Sequence, residues 1–478
     1  MTNRLEAALN AVQENPQLSD KQLTGPSPTL ALSRYIATSQ SSDIPADILE
    51  LGKRHILDTL ASLLVSAKLK PAKLAQDFAL IHGGSASDAT ILTTNKKTTI
   101  FDAVFANAMT AHAAEINDFC PSAFVQPGPP ILSTLLSIGE TIHCSGDALL
   151  RALVTGYEVA CRFPKALGIA NLRDGGLSNH GFAPVFGGAA AASSILAIPE
   201  NKISDVLAYC VQQASGSYNW MRDEEHIEKA FVFAGMPARN GAAAALLVHN
   251  GFTGTGDPLQ GSPGWLRSIL FVGPESDMDR NKLIDGLGVD FQMPLVAYKR
   301  YPVGGPTQPS VEAMLHLVKQ VDPEKVEKIE IKMPGKPEIF ANAKMPALNL
   351  PYLCSVILED GKLDFHAAQS HERFHSDSIR QKMSRVSVLY DGSMEREPRT
   401  EPAKVSMTLK DGSTKEHFVE HVLGYPTRPM SREDVEQKAL ELIVPVIGEQ
   451  RAKNLVETIW NIETMTDVAD LVPMLEIL

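Results

Sequence analysis

The feature that most constrains this chain is the small residues inside its helical text, in GFAPVFGGAAAASSILAI over residues 181–198 and ARNGAAAALLVHNG over 238–251. Glycine and alanine let helix backbones approach closely at a crossing, so the pattern predicts a packed bundle of many helices. Similar text, in FDAVFANAMTAHAAEIND, PPILSTLLSIGETIH and GDALLRALVTGYEVACRF, extends the prediction over residues 28–284. Near its start, Ile48, Leu49, Leu51, Ile56, Leu57, Leu60, Leu63 and Leu64 form a broad apolar face, with Asp47 placing negative charge at the helix beginning. Residues 1–27 end in the breaker cluster Gly25-Pro26-Ser27-Pro28 and are expected to be a weakly ordered leader.

After about residue 285 the periodicity changes. KVEKIEIKMPG alternates through Val326, Ile329 and Ile331, while RVSVLYDGS and KVSMTLKDGSTKEHFVE supply further strands, the last turning at Asp411-Gly412. With PSVEAMLHLVKQV as a helix ahead of them, residues 285–429 read as an α+β unit. Residues 430–478 return to helix, opening on a capping box from Ser431 to Asp434, and are expected to pack back on the helical part. The fold class is mainly α with an α+β second domain.

Lys and Arg number 44 against 56 Asp and Glu, and the net charge of −12 repels nucleic acid and anionic membrane surfaces. Any anionic ligand therefore needs a local cationic site. Five scattered cysteines without CxxC spacing, a polar N-terminal stretch and the lack of an uninterrupted apolar run of membrane-spanning length lead to the expectation of a cytoplasmic protein. GFTGTG lacks the lysine of a phosphate loop, and GLSNHG is out of register for a nucleophile elbow. His112-x-x-Glu115 offers two ligands but no marked third, so no metal is expected.

Four stretches place polar groups where helical text breaks. AHAAEINDFCPSAFVQPGPP carries His112, Glu115, Asp118 and Gln126, and helical spacing would set the first three on one side of a helix buried by Ala108, Met109, Ala111 and Ile116. A solvated face is the plain alternative, but buried carboxylates need a reason. His180 precedes a Gly/Ala helix whose positive end favours a neutral imidazole and a bound anion, although a lone histidine is often structural. Arg222, Lys229 and Arg239, then Lys299 and Arg300 before Tyr301, are the cations able to hold carboxylates, against the common alternative of surface charge.

These segments carry a resemblance. From about Ile44 onward, ILDTLASLL, NAMTAHAAEIND, the His180 segment leading into GGAAAA, QQASGS, ARNGAAAALL, KRYPVGG and GYPTRPMS occur in the order and spacing of the MmgE/PrpD family. That family includes 2-methylcitrate dehydratase, cis-aconitate decarboxylase and iminodisuccinate epimerase. The resemblance implies a large helical domain made from both chain ends, a smaller α+β lid, a homodimer, no cofactor and a small polycarboxylate substrate. Residue by residue, it implies active-site roles for His112, Glu115, Asp118 and His180; Lys229 lies one residue off the family lysine when counted back from Gly235 and Arg239. The chain departs from the pattern at Phe119, at Gln126 in place of a histidine, and at Tyr301-Pro302-Val303-Gly304, with Gln308 in the lid histidine's position.

The resulting expectation is a dehydratase-like lyase. His180 and Lys229 transfer protons, Glu115 or Asp118 orients one of them, and His112, Gln126, Arg239, Lys299, Arg300 and Tyr301 bind substrate. Epimerisation or decarboxylation of a similar polycarboxylate, and a catalytically silent anion- or partner-binding homologue, are the alternatives.

Overall fold

The computed structural model describes residues 26–260, 279–396 and 401–478, so nearly all of the expected leader lies outside the described residues. Its helical part begins with α1 (Pro28–Thr38), which Ser27 caps, α2 (Ala46–Ser66), α3 (Lys70–His82) and α4 (Ile100–Ala111). It continues through α5 (Gly128–Ile142), α6 (Gly146–Leu167), α7 (Asn179–Ile195), α8 (Glu200–Gln213) and α9 (Ile227–His249). By length and composition alone α9 could cross a membrane, but two-thirds of its most apolar window is buried within the protein.

Small residues set the α6–α7 crossing. A Cβ built on Gly187 would lie 2.7 Å from the Cβ of Ala160, and one on Gly156 would lie 3.0 Å from that of Ala191. Both contacts are too close, so the glycines are what let the two backbones meet. Gly187→Val should therefore lower the thermal midpoint through overpacking of about 1–3 kcal/mol. An unchanged midpoint in scanning calorimetry would mean that the helices can part freely.

The α+β part contains α10 (Gln308–Leu317), β1 (Val326–Met333), α11 (Leu350–Asp360), β2 (Val386–Tyr390), β3 (Ala403–Leu409) and β4 (Thr414–Val419). The sheet order is β2-β1-β3-β4, with β1 parallel to β2 and the other pairs antiparallel. Val326 and Ile329 are an odd number of residues apart yet both buried, because the register with β3 shifts between Val326 and Lys328. Beyond that irregularity Ile329, Ile331 and Met333 alternate inward.

Helix α12 (Arg432–Ile447), opened by the reciprocal Ser431–Asp434 capping box, and α13 (Glu449–Trp460) return to the bundle. Leu60, Leu153, Phe186, Ile443 and Leu455 share one apolar core, while Val311, Ile331, Leu353 and Val405 belong to another. The fold is mainly α with a small α+β component, as the sequence predicts.

Two buried charge clusters tie the parts together. Lys438 of α12 donates to Asp58 of α2 at 2.5 Å and to the Ile116 carbonyl at 2.8 Å. Arg162 of α6 pairs with Glu158 at 2.6 Å and donates to the carbonyls of Asp285 and Asp290, and Glu158 accepts from the Gln292 backbone. The second cluster holds the stretch leading to the crossover that bridges Phe119 to Ala297 and carries Lys299, which pairs with Glu115.

Candidate active site

The helix expected to carry His112, Glu115 and Asp118 on one face stops at Ala111, with His112 at its C-cap. No local breaker lies in AHAAEIND; tertiary hydrogen bonds override its helix propensity. His112 Nδ1 lies 2.7 Å from Asn117 Oδ1, Asn117 Nδ2 donates to Gln126 Oε1 at 3.0 Å, and His226 Nε2 lies 2.9 Å from the His112 carbonyl. Glu115 and Asp118 consequently meet different partners.

Glu115 faces two cations. It pairs with Lys229 from α9 and with Lys299 at 3.3 Å from the crossover, all three side chains being largely buried. Burial alone would raise its carboxyl, but Lys229 and then Lys299 hold it well below the usual carboxylate range. Burial, reinforced by Lys229, in turn pulls Lys299 below the ordinary lysine value, with Glu115 opposing the shift. A π-helical turn, Phe231–Gly235, lies within α9 between Lys229 and Arg239 and holds one residue more than an α turn.

Three imidazoles surround this ion cluster. His180, in the first turn of α7, stacks on Phe233 with centroids 3.8 Å apart and meets Trp220 edge-on at 5.8 Å. His112 stacks on Phe233 at 5.1 Å and lies 5.1 Å from His226. Burial, reinforced by Lys229, pushes His180 down to about 3. His226 falls to about 4, again chiefly through burial, and His112 lies well below the ordinary value through burial and then His226. All three are therefore neutral at pH 7. The Lys229 ammonium rests 5.3 Å from the centroids of both Trp220 and Phe233, so aromatic faces as well as Glu115 hold it.

Asp118 belongs to a different network. Its carboxylate accepts from Tyr157 at 2.6 Å, from the Gly128 backbone at 3.1 Å, and pairs with His55 at 2.9 Å. It anchors the loop instead of facing the lysines. Gln126 joins the cluster through Asn117. Arg239 is set over Phe105, 5.8 Å from its ring, and makes no contact with the Glu115 cluster. Arg300 forms a two-pronged pair with Glu441 at 2.8 and 3.0 Å, and Tyr301 packs on the α+β core. Gln308 clamps the turn by accepting from the Tyr301 backbone and donating to the Tyr301 and Val303 carbonyls. Because Arg300 is spent on a surface partner, Arg300→Gln should leave kcat/KM within about twofold of wild type, in keeping with the small worth of exposed pairs. A steady-state assay showing a large loss would return Arg300 to the site.

Sequence reasoning missed His226, His55, Asn117, Trp220 and Phe233. Only His226 had an accessible signal, standing one helical turn before Lys229. Among the described residues, His112, Glu115 and His226 form a trio able to hold a metal ion, their ligand atoms all within 4.8 Å of one another.

Residues 30–275 match the model of the MmgE/PrpD N-terminal domain and residues 301–464 that of the MmgE/PrpD C-terminal domain. A cis-aconitate decarboxylase-like protein of Aspergillus oryzae is 22% identical over 94% of this chain and 97% of its own length. Cis-aconitate decarboxylase of Homo sapiens is 23% identical over 90% of each chain, and that of Aspergillus terreus is 22% identical over 94% of this chain and 95% of its own. With both domain models matched across most of its length, the chain belongs to the MmgE/PrpD family.

Proposed function

We propose that this protein is a lyase that eliminates water, or a related group, from a small hydroxy- or amino-polycarboxylate. The observation that carries the reading is the buried Glu115 held between Lys229 and Lys299 beside the neutral imidazole of His180. A substrate carboxylate brings the same charge and geometry as Glu115 and would be held by the same two ammonium groups. Negative charge that develops on that carboxylate when the neighbouring carbon loses its proton is then met by preorganised cations.

In this scheme His180 accepts the proton from carbon, the C–H electron pair becomes the new C=C bond, and the bond from the adjacent carbon to oxygen breaks. The leaving hydroxyl takes a proton from the Lys229 ammonium and departs as water. A neutral imidazole suits the first step because it must accept a proton. Gln126, where the family pattern has a histidine, cannot carry a proton; it orients Asn117 instead. A homodimer in the cytoplasm is part of the proposal.

A second reading, decarboxylation, is favoured by the activity named for the human and Aspergillus relatives. Incubation with citrate, methylcitrate, cis-aconitate and iminodisuccinate in deuterated water, followed by NMR, separates the readings. New alkene signals with loss of the hydroxyl carbon signal support elimination, and carbon dioxide release supports decarboxylation. Deuterium entry without net loss indicates epimerisation. No change in any substrate leaves only an anion-binding homologue and defeats the lyase.

A further inference from the structure

The corner of the site formed by His112, Glu115 and His226 has a property that proton transfer at His180 does not use. His112 Nδ1 faces the Asn117 side-chain oxygen, and His226 Nε2 faces the His112 carbonyl oxygen. Asn117 Nδ2 is already engaged as a donor to Gln126 and to the Asp118 carbonyl, which fixes its oxygen toward His112. Both partners are acceptors, so in the neutral rings these nitrogens carry the hydrogens. The opposite nitrogens, His112 Nε2 and His226 Nδ1, are left as bare lone pairs; both are buried and neither has a hydrogen-bond partner. One ring nitrogen from each histidine and a Glu115 oxygen lie within 4.8 Å of one another.

Histidines that ligate metals are held in this way, with the far N–H fixed on a carbonyl or amide oxygen. Two imidazole nitrogens and one carboxylate oxygen are a donor set that zinc accepts. Tetrahedral ligands 2.0–2.2 Å from an ion stand roughly 3.4 Å apart, so side-chain adjustments of about an ångström close the trio. Lys229 is the obstacle, since its ammonium occupies the same carboxylate. Its side chain keeps 11% exposure, against 1% for Lys299, so Lys229 has room to withdraw.

We propose that His112, Glu115 and His226 bind a divalent transition-metal ion of the zinc class in competition with Lys229. A bound ion takes Glu115 from Lys229 and holds the cluster out of its catalytic arrangement. That consequence rests on the proposed function; the binding itself does not.

The test is calorimetric titration of the full-length protein with Zn²⁺, paired with the visible absorption of Co²⁺ added in its place. One ion per chain is expected. Asn117→Ala, which frees the His112 ring, should weaken binding by about 10–100-fold. His226→Gln should abolish the one-equivalent isotherm and the cobalt band, and Lys229→Gln, by removing the competing charge, should tighten binding, circular dichroism confirming the fold of each variant. Absence of stoichiometric binding to the wild type overturns the site. So does equal affinity in wild type and Asn117→Ala, a reading that stands even if His226→Gln fails to fold. Unchanged or weaker binding in Lys229→Gln overturns the competition.

Discussion

His180→Gln should lower kcat/KM on the polycarboxylate by about 10²–10⁴-fold, the range contributed by a positioned general base, while the protein remains folded. The ring of His180 lies flat on Phe233 and is bordered by Phe124 and Trp220, so glutamine can fill much of the same slot. What glutamine lacks is a nitrogen that can accept and return a proton. The pH profile separates this role from a structural one. Burial, with Lys229 adding to it, holds the imidazole down to about 3, so wild-type kcat/KM should show no inflection near the usual histidine value. The base stays competent through pH 5–8, and protonation removes it only at more acid pH. Equal kcat/KM for wild type and variant would remove His180 from this role, whereas an inflection near about 6.5 that disappears in the variant would keep the role and overturn the depressed imidazole.

The fold was legible because its signals are local and repeated. Gly187 and Gly156 announce a close helix crossing, and the alternation in β1 announces a half-buried strand, broken only where the register shifts. The cluster was legible in part. Lys299 could be nominated from sequence, but its burial against Glu115 depends on Arg162 and Glu158 holding the crossover, residues that look like an ordinary helical ion pair. The turn after Ala111 was not legible, because Ala-His-Ala-Ala-Glu is good helical text and its break is held by His226 from a distant part of the chain and by Asn117 just beyond it. Arg239 and Arg300 show the converse limit. Their charge was visible, but the Phe105 ring and the Glu441 carboxylate that occupy them were not.

Glu115→Gln should be the substitution with the largest effect on stability. It leaves Lys229 and Lys299 buried without their shared anion, and breaking a buried pair costs about 3–5 kcal/mol at neutral pH. The native carboxyl of Glu115 is depressed, Lys229 and Lys299 outweighing the opposing effect of burial. Its stabilising contribution is therefore complete above the unfolded value of about 4.3 and is lost as pH falls through the lower native value. The variant has no carboxyl to titrate. The gap between the two proteins, measured as denaturation midpoints, should be widest near pH 7 and narrow steadily below about pH 4. The same substitution ties stability to function. In the wild type a substrate carboxylate must displace Glu115 from the lysines, whereas in the variant both ammonium groups are free to receive it. Citrate should then raise the midpoint of Glu115→Gln more than that of the wild type, approaching about 2.7 kcal/mol of stabilisation when ligand stands at 100 times Kd. Equal citrate shifts in the two proteins would mean that Lys229 and Lys299 do not receive the substrate carboxylate. A neutral Glu115→Gln midpoint at pH 7 would mean that the lysines shed their charge once the anion is gone.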